Sequence, residues 1–332
     1  MVKKSFSFLP SHLLILSDIH TKYSLFPQFE RERQKQLIDE INKRTREDTV
    51  VVLNGDILDK ATPSLEEIEA FYYLVENLKA SAIILVTGNH EILNNEHCTY
   101  DFLPSIDKLY YNDFFELEND FIKLNIVGYR SLNLIFDLVS DTKTNLLISH
   151  YRSELRFASE EVDNQKVSSL YAYAILGDIH EHYKPKDNIE YTSSPYSVSF
   201  SDIDDYGFIE LAINGKEFDV QWHKLNLPCL KKVIFWSEEE LFSYEFSDRY
   251  LYKIVTEFPA NANVLDFVAK QSAIVKASYA KPEIEEIEEK ELENFSASTE
   301  NIIELLHSLV KDKSELDEEV CNKGLAILKG FL

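Results

Sequence analysis

Hydrophobic and polar positions in the first third of the chain form two kinds of segment that alternate. The runs 13–16, 50–53 and 82–86 are almost wholly aliphatic, which is typical of strands buried on both faces. The segments between them, 28–46 and 64–79, are charged and carry apolar residues at helical spacing. The pattern predicts an α/β fold in which parallel strands alternate with helices.

The alternation continues with six further predicted strands, the last three of which look like an antiparallel closing of the sheet. In chain order these strands are 121–127, 145–149, 172–176, 189–192, 207–213 and 218–225. We therefore predict that residues 1–228 form one large domain.

The pattern changes after Pro228. A strand at 250–256, a helix at 262–272 and a strand at 273–279 predict a small α+β domain at 229–280. Residues 281–332 begin with an acidic run and continue with apolar residues at helical spacing, which predicts a linker and a helical tail. The apolar faces of that tail need burial, either on this chain or on a partner.

The net charge of the chain disfavours the binding of polyanions. The chain has 34 Lys and Arg residues against 58 Asp and Glu residues, a net charge of −24. Such an excess repels polyanions at long range unless metal ions or local basic patches intervene. Residues 281–332 hold 14 acidic and 6 basic residues and so carry a third of that excess.

The cysteines and the apolar runs indicate a location. Cys98, Cys229 and Cys321 lie far apart and form no CxxC pair, which argues against a disulfide framework or a thiolate zinc site. We expect a reducing cytoplasm, which is the host cytoplasm if a phage encodes the chain. Because no stretch of 18 apolar residues occurs, we expect neither a membrane span nor a membrane partner.

Polar residues that follow the apolar runs are the candidate chemistry. The carboxyl ends of parallel strands meet at one edge of a sheet, so these residues should converge on one crevice. If the first strand continued through them, Asp18 and His20 would point to the same face, as would Asp178 and His180. The candidate metal ligands are Asp18, His20, Asp56, Asn89, His150, Asp178 and His180.

These seven side chains are too many for one tetrahedral zinc ion and suit two ions of higher coordination number. Mixed nitrogen and oxygen ligands favour Mn²⁺ or Fe²⁺, with Zn²⁺ as an alternative, over Mg²⁺. Two adjacent ions catalyse in-line displacement at phosphorus, so phosphoester hydrolysis is the expected reaction. His90, which is not among the ligands, is then free to act as a general acid. We interpret Asp59 as a hydrogen-bond partner of the ligands or a helix-start residue rather than a ligand, and we favour a solvated position over a direct role for Glu91.

The order of these motifs resembles that of the calcineurin-like metallophosphoesterase superfamily. The resemblance rests on Asp18-Ile19-His20, Gly55-Asp56, Gly88-Asn89-His90-Glu91, His150 at a strand end, and Gly177-Asp178-Ile179-His180. With Tyr191-Thr192-Ser193-Ser194-Pro195-Tyr196 and Tyr206-Gly207-Phe208, the chain is most similar to SbcD-type DNA nuclease subunits and phage recombination endonuclease subunits.

The resemblance implies a β-sandwich flanked by helices, a small α+β capping domain and a C-terminal helical tail. It implies two Mn²⁺ ions, one held by Asp18, His20, Asp56 and His180. Asp56 would bridge to a second ion held by Asn89, His150 and Asp178, and His90 matches the catalytic histidine. It also implies a DNA substrate and a tail that docks on an SbcC-type coiled-coil ATPase, while a homodimer is left open.

One position departs from the family, which usually has His where this chain has Asp178. An extra carboxylate should tighten the binding of a hard cation and reduce the positive charge available to polarise a phosphate. The candidate DNA contacts are the basic residues next to the expected crevice, namely Lys22, Lys60, Arg130 and Arg152. Two alternatives stay open: a phosphatase or nucleotide phosphodiesterase, and a non-catalytic scaffold with the same fold.

Overall fold

The computed structural model describes residues 6, 8–23, 26–94, 96–152, 161–202 and 205–280. The predicted acidic linker and helical tail at 281–332 lie outside the described residues. None of the described helices is long and apolar enough to cross a membrane.

The described chain forms strands and helices that follow the predicted alternation. The strands are β1 (His12–Leu16), β2 (Val50–Asn54), β3 (Ala82–Val86), β4 (Leu109–Tyr111), β5 (Phe114–Glu118), β6 (Ile122–Val127), β7 (Thr144–His150), β8 (Tyr173–Gly177), β9 (Tyr183–Lys186), β10 (Ile189–Tyr191), β11 (Gly207–Asn214), β12 (Glu217–Lys224), β13 (Cys229–Phe235), β14 (Tyr250–Thr256) and β15 (Ile274–Tyr279). The α-helices are α1 (Pro27–Asn42), α2 (Leu65–Asn77), α3 (Asn164–Leu170), α4 (Glu238–Ser243) and α5 (Ala262–Lys270).

Two six-stranded sheets make up the larger part of the fold. The first has the strand order β12-β11-β1-β2-β3-β4 and the second the order β5-β6-β7-β8-β10-β9. Strands β1 to β4 are parallel, as are β6, β7 and β8. The carboxyl ends of parallel neighbours lie at the same edge, so each sheet presents the loops after its central strands together.

The two sheets pack face to face and are flanked by helices. Along β1 the side chains alternate: Leu13 and Ile15 pack between the sheets, while Leu14 and Leu16 pack under α1 and α2. The outer face of the second sheet is covered by α3, through Val167. Every residue of β1, β2 and β3 is buried, and all of them are aliphatic except His12 at the start of β1 and Asn54 at the end of β2. The predicted sandwich of two sheets flanked by helices is confirmed.

Residues at the N-terminal ends of α1 and α2, the two helices that flank the first sheet, determine where these helices begin. Pro27 occupies the first turn of α1, where its missing N–H costs no hydrogen bond. Ser64 caps α2, and the Glu67 side chain accepts a hydrogen bond from the Ser64 backbone N–H in return, a capping box. The sequence pattern extended α1 to residue 46, whereas the helix ends at Asn42.

One sequence-based expectation about the sheets is wrong. The strand predicted at 189–192 does not belong to the sheet that β11 and β12 close, because β10 lies in the second sheet, parallel to β8 and antiparallel to the edge strand β9. The closing strands of the first sheet are β11, which is antiparallel to β1, and β12, which is antiparallel to β11. The hydrophobic pattern alone did not assign the strands to two sheets; the two-sheet sandwich was implied by the resemblance to the family.

Residues 229–279 form a smaller three-stranded sheet. Strands β13, β14 and β15 are parallel and are connected through α4 and α5, with a core around Phe235, Tyr252 and Ile254. The sequence pattern predicted β14, α5 and β15 but missed β13 and α4. The division of the chain at residues 228 and 280 into three domains stays a prediction.

Candidate metal centre

Five loops bring all seven predicted ligands to one end of the sandwich. Three of the loops follow β1, β2 and β3 of the first sheet, and two follow β7 and β8 of the second. The crevice therefore lies where the carboxyl ends of two stacked sheets meet. All the central strands are rigidly packed, so the site is built on fixed supports.

Left-handed backbone turns aim the ligand side chains. Asp18, His20, Asp56 and Asp178 have φ angles of 54°, 46°, 50° and 95°. They are four of the five non-glycine residues with positive φ in the described part of the chain. Such conformations cost on the order of 1 to 3 kcal/mol each and cluster at functional sites. Because β1 ends at Leu16, strand alternation is not what brings Asp18 and His20 together.

Backbone hydrogen bonds join the first two ligand loops. The N–H of Asp18 donates to the carbonyl of Gly55 at 3.1 Å, and the N–H of His20 donates to the carbonyl of Asp56 at 2.9 Å. Gly55 itself has φ of 79°, and a Cβ there would lie 2.5 Å from His150 Nδ1. Only glycine allows this turn and this close approach, which explains the residue before Asp56.

The first group of ligands surrounds Asp18. Its Oδ1 lies 3.9 Å from His20 Nε2 and 4.0 Å from His180 Nε2. His20 Nε2 is also 3.6 Å from Asp56 Oδ2. Two atoms that bind one ion at bond lengths of about 2.0 to 2.2 Å can be at most roughly 4.4 Å apart. The spacing of this first group therefore suits a shared ion.

The second group surrounds His150. Its Nε2 lies 3.3 Å from Asn89 Oδ1, 3.4 Å from Asp56 Oδ2 and 3.9 Å from Asp178 Oδ1. Asp56 Oδ2 belongs to both groups, since it faces His20 Nε2 and His150 Nε2. The arrangement fits a carboxylate that bridges two ions.

Hydrogen bonds fix the histidines with Nε2 towards the crevice. His20 Nδ1 lies 3.1 Å from Asp59 Oδ1, so the predicted supporting contact of Asp59 is confirmed. His150 Nδ1 donates to the carbonyl of Asn54 at 2.9 Å. A ring nitrogen that donates leaves the other with a lone pair, which is the usual arrangement of histidine ligands. His180 Nδ1 faces Asp202 Oδ2 at 3.7 Å.

The polar atoms of the centre fit a bound cation. Asp18 Oδ1 and His20 Nε2 are buried and have no hydrogen-bond partner. Burial lowers the pKa of His150, but the carboxylates of Asp56, Asp18 and Asp178 outweigh it and raise the pKa to about 10. The same surplus of negative charge that favours a proton favours a metal cation. In the described residues, three clusters have ligand atoms within 4.8 Å of one another: Asp18, His20 and His180; Asp18, Asp56 and His150; and His20, Asp59 and His90.

His90 lies at the rim of the centre. Its Nδ1 is 2.7 Å from the carbonyl oxygen of Asp59, which can only accept, so Nδ1 carries a proton. Its Nε2 is 3.9 Å from Asp56 Oδ2, and the side chain is 42% exposed. The ring is therefore held beside the bridging carboxylate and is open to a substrate.

Two carboxylates that hold the centre together were not assigned a role from the sequence. Glu91 is fully buried and accepts hydrogen bonds from the backbone N–H groups of Asp56, Leu58 and Gly88, at 3.1, 3.0 and 2.8 Å. Burial, and after it the charge of Asp56, raises the pKa of Glu91 to about 7. Its position directly after the Gly-Asn-His motif was the only available signal.

Asp202 is the second of these carboxylates. It accepts hydrogen bonds from the N–H groups of Val198 and Ser199 at 2.6 and 2.9 Å and faces His180. Burial raises the pKa of Asp202, but the hydrogen bonds with His180 and Ser199 outweigh it and lower the pKa to about 2. No pattern in the sequence links residue 202 to residue 180.

Each of the four candidate DNA contacts is paired with an acidic residue. Lys22 lies 2.8 Å from Asp59, and Arg152 lies 2.9 Å from Asp178, so both reach the centre. Lys60 pairs with Glu67 at 3.2 Å and Arg130 with Asp101 at 3.3 Å; neither of these acids is a predicted ligand. Contact with DNA stays a prediction for all four.

Comparisons with known proteins agree on the family. The family model described as calcineurin-like phosphoesterase matches residues 11–206. The chain is 27% identical over 216 residues to the "Probable exonuclease subunit 1" of Escherichia phage T5, a match that covers 61% of this chain and 64% of that protein. The chain thus spans less than two thirds of the length of this relative.

Solved structures with a similar fold include a purple acid phosphatase from yellow lupin (Lupinus luteus) seeds. It is 12% identical with a TM-score of 0.44, and the match covers 65% of this chain and 52% of that chain. An archaeal phosphodiesterase is 19% identical with a TM-score of 0.35, over 64% of this chain and 99% of that chain.

Proposed function

The chain belongs to the calcineurin-like phosphoesterase family, and from this premise we propose that it is a DNA nuclease subunit that hydrolyses phosphodiester bonds with two divalent cations. Mn²⁺ is the proposed ion, with Mg²⁺, Fe²⁺ and Zn²⁺ as alternatives. The observation that carries the proposal is the position of Asp56 Oδ2, which lies within 3.6 Å of one ligand from each of the two groups.

The residues of the two groups divide the task of holding the ions. Asp18, His20 and His180 hold the first ion, Asn89, His150 and Asp178 hold the second, and Asp56 bridges them. When bound, two such ions supply an activated nucleophile and neutralise charge on the phosphate. Glu91 supports this arrangement, because its carboxylate joins the backbone of the Asp56 loop to that of Gly88.

His90 has the role of a proton donor to the leaving oxygen. Because Nδ1 is engaged with the Asp59 carbonyl, the proton that is transferred resides on Nε2 of the doubly protonated ring. The leaving group in a phosphodiester is an alkoxide, which needs that proton to depart readily. His90 Nε2 lies 3.9 Å from Asp56 Oδ2, beside the proposed bridging carboxylate.

The DNA substrate and the partner are supported by the relative from phage T5, whose name describes an exonuclease subunit. We propose that the partner is an SbcC-type coiled-coil ATPase that binds residues 281–332. The net charge of −24 supports this division of labour, because such a chain binds DNA weakly by itself. The proposal places the chain in the cytoplasm of a host cell, and a homodimer is compatible with it.

A nuclease assay on the full-length chain tests the proposal. Linear and hairpin DNA are incubated with Mn²⁺ and the wild type, Asp56→Asn, His90→Ala or Asp205→Asn. Asp205→Asn is a matched control, since it removes one carboxylate that pairs with Lys224 at the surface. We expect the wild type and the control to cleave DNA, and Asp56→Asn to lose activity by roughly a thousandfold or more.

The assay includes a small chromogenic phosphodiester and a repeat with a coiled-coil ATPase partner. A preference for the small ester by orders of magnitude would contradict the DNA substrate and favour a phosphatase or nucleotide phosphodiesterase. If the wild type and Asp56→Asn bound no Mn²⁺ and cleaved neither substrate, the chain would be a scaffold rather than an enzyme.

A further inference from the structure

An ion pair occupies one ligand of the second group. Arg152 Nε lies 2.9 Å from Asp178 Oδ2, and Arg152 Nη2 lies 3.3 Å from Asp178 Oδ1, so the guanidinium engages both carboxylate oxygens. The Asp178 side chain is 4% exposed and that of Arg152 is 36% exposed. Two-point pairs of this kind are among the stronger polar contacts in proteins.

The pair opposes cation binding by Asp178 in two ways. Asp178 Oδ1, the atom that faces His150 Nε2 at 3.9 Å, is the same atom that accepts from Arg152 Nη2. Its electron density is thus shared between a guanidinium and any bound ion. In addition, the positive charge of Arg152 repels a dication at the same place, an effect that is strong because Asp178 is nearly buried.

The first group has no such cation. Asp18 Oδ1 is buried without a hydrogen-bond partner, and no Lys or Arg of the described residues forms an ion pair with Asp18. The nearest lysine, Lys22, pairs instead with Asp59, which supports His20 from behind. Both groups therefore include Asp56 and at least one histidine. Only the second group contains an arginine that pairs with one of its ligands.

We propose that Arg152 makes the two cation positions unequal, so that the group around Asp18 binds its divalent ion tightly and the group around His150 binds the second ion weakly. The proposal rests on the proposed two-ion function. It runs against the expectation that an aspartate at position 178 tightens cation binding, because Arg152 would offset the added carboxylate. Arg152 is a positioning residue here, since it acts through Asp178.

Titration calorimetry with MnCl₂ on the full-length, metal-free chain tests the proposal. We expect the wild type to bind two Mn²⁺ ions in separate phases. Arg152→Gln should tighten the weaker phase by roughly tenfold, the effect of removing one charge near a dication, and should leave the tight phase within about twofold. Arg152→Lys, which keeps the charge but loses the two-point contact, should lie between Arg152→Gln and the wild type.

Arg46→Gln is the matched control. It also removes an arginine that pairs with a carboxylate, that of Glu210, but Arg46 precedes the start of β2. It should leave both phases unchanged. Asp178→His removes the partner of Arg152, so adding Arg152→Gln to Asp178→His should change the weaker phase much less than it does in the wild type. This readout depends on binding alone and does not require activity.

Each contrary result has a distinct meaning. Weakening of the second phase by Arg152→Gln, or an equal shift of both phases, would overturn the inference and leave the two-ion function standing. Equal affinity of the two phases in the wild type would do the same. Absence of any Mn²⁺ binding by the folded wild type would overturn the proposed function together with the inference.

Discussion

Two clusters of histidines and carboxylates lie at opposite ends of β1 and differ in how their polar atoms are satisfied. At the start of the strand, His12 Nε2 lies 2.8 Å from Glu210 and His12 Nδ1 lies 2.7 Å from Thr49 Oγ1. His223 Nε2 lies 2.9 Å from the same Glu210 carboxylate. We call His12, Glu210 and His223 the closed cluster, because each oxygen of the Glu210 carboxylate faces a histidine ring nitrogen.

Beyond the end of the strand, the cluster around Asp18, His20 and Asp56 is open. Asp18 Oδ1 and His20 Nε2 are buried without partners, and all three residues have positive φ. The same residue types thus build a self-sufficient hydrogen-bonded cluster in one place and a set of unmet ligands in the other. Buried ligand atoms that lack hydrogen-bond partners and lie on a strained backbone therefore indicate a cation site, whereas residue type alone does not.

The largest expected effect is a loss of cation affinity, which only a substitution in the open cluster should cause. Asp18→Asn should weaken Mn²⁺ binding at the first position by roughly 100-fold or more, because it removes a charged ligand. The metal-free variant should unfold at about the same temperature as the wild type, since Asp18 Oδ1 has no hydrogen-bond partner and the asparagine amide keeps an oxygen that can accept from the Asp178 N–H. Calorimetric titration and thermal unfolding measure the two quantities. A large loss of metal-free stability would show that the open cluster is structural.

Chelation should reveal the same difference without a mutation. At Mn²⁺ concentrations about a hundredfold above Kd, binding stabilises the wild type by about 2.7 kcal/mol, so EDTA should lower its melting temperature by several degrees. Asp18→Asn should respond much less to EDTA. Equal responses of the two proteins would contradict the assignment of the cation to the open cluster.

Glu210→Gln should have the opposite consequences. The change weakens contacts with His12, His223 and Arg46 in a partly buried cluster, and we expect a loss of about 1 to 3 kcal/mol in the free energy of unfolding. Mn²⁺ binding should be unchanged. Chemical denaturation measures the loss, and an effect on Mn²⁺ affinity would mean that the closed cluster also takes part in the metal centre.

The smallest expected effect is a change of folding stability at acidic pH. Burial raises the pKa of Glu210, but hydrogen bonding and charge from His12, then from His223, outweigh it and hold the pKa below its usual value. The folded state therefore binds fewer protons than the unfolded state, and this stabilisation is lost as pH falls through the lowered pKa. The difference in stability between wild type and Glu210→Gln should shrink as the pH falls from about 5 to about 3. A difference independent of pH over that range would argue that Glu210 is not ionised in the folded protein.

The sequence predicts the parts of this molecule that are encoded locally. The aliphatic runs of β1, β2, β3, β7 and β8 and the polar residues at or just after their ends are contiguous in the chain, so the strands and the seven candidate ligands could be predicted. The residues that complete the site are distant in sequence. Asp202 reaches His180, and Arg152 reaches Asp178 across 26 positions, through the folding of separate loops.

The division of the strands between two sheets was likewise beyond local reasoning. Ile189 and Tyr191 have the same apolar character whichever sheet β10 joins, and in the second sheet β10 pairs with both β8 and β9. Strand β13 was missed because two lysines, the half-buried Lys231 and the exposed Lys232, interrupt its apolar pattern. Pairing depends on which surface remains unburied when the chain collapses, and that is a property of the whole fold.

Anomalous diffraction at the manganese edge, from crystals of the full-length chain grown with Mn²⁺, tests the central claim most directly. The account predicts two peaks that share Asp56, with the first contacting Asp18, His20 and His180, and the second, of lower occupancy at limiting Mn²⁺, contacting His150 and Asn89. No peak at these residues, or a peak between His12, Glu210 and His223 instead, would contradict it.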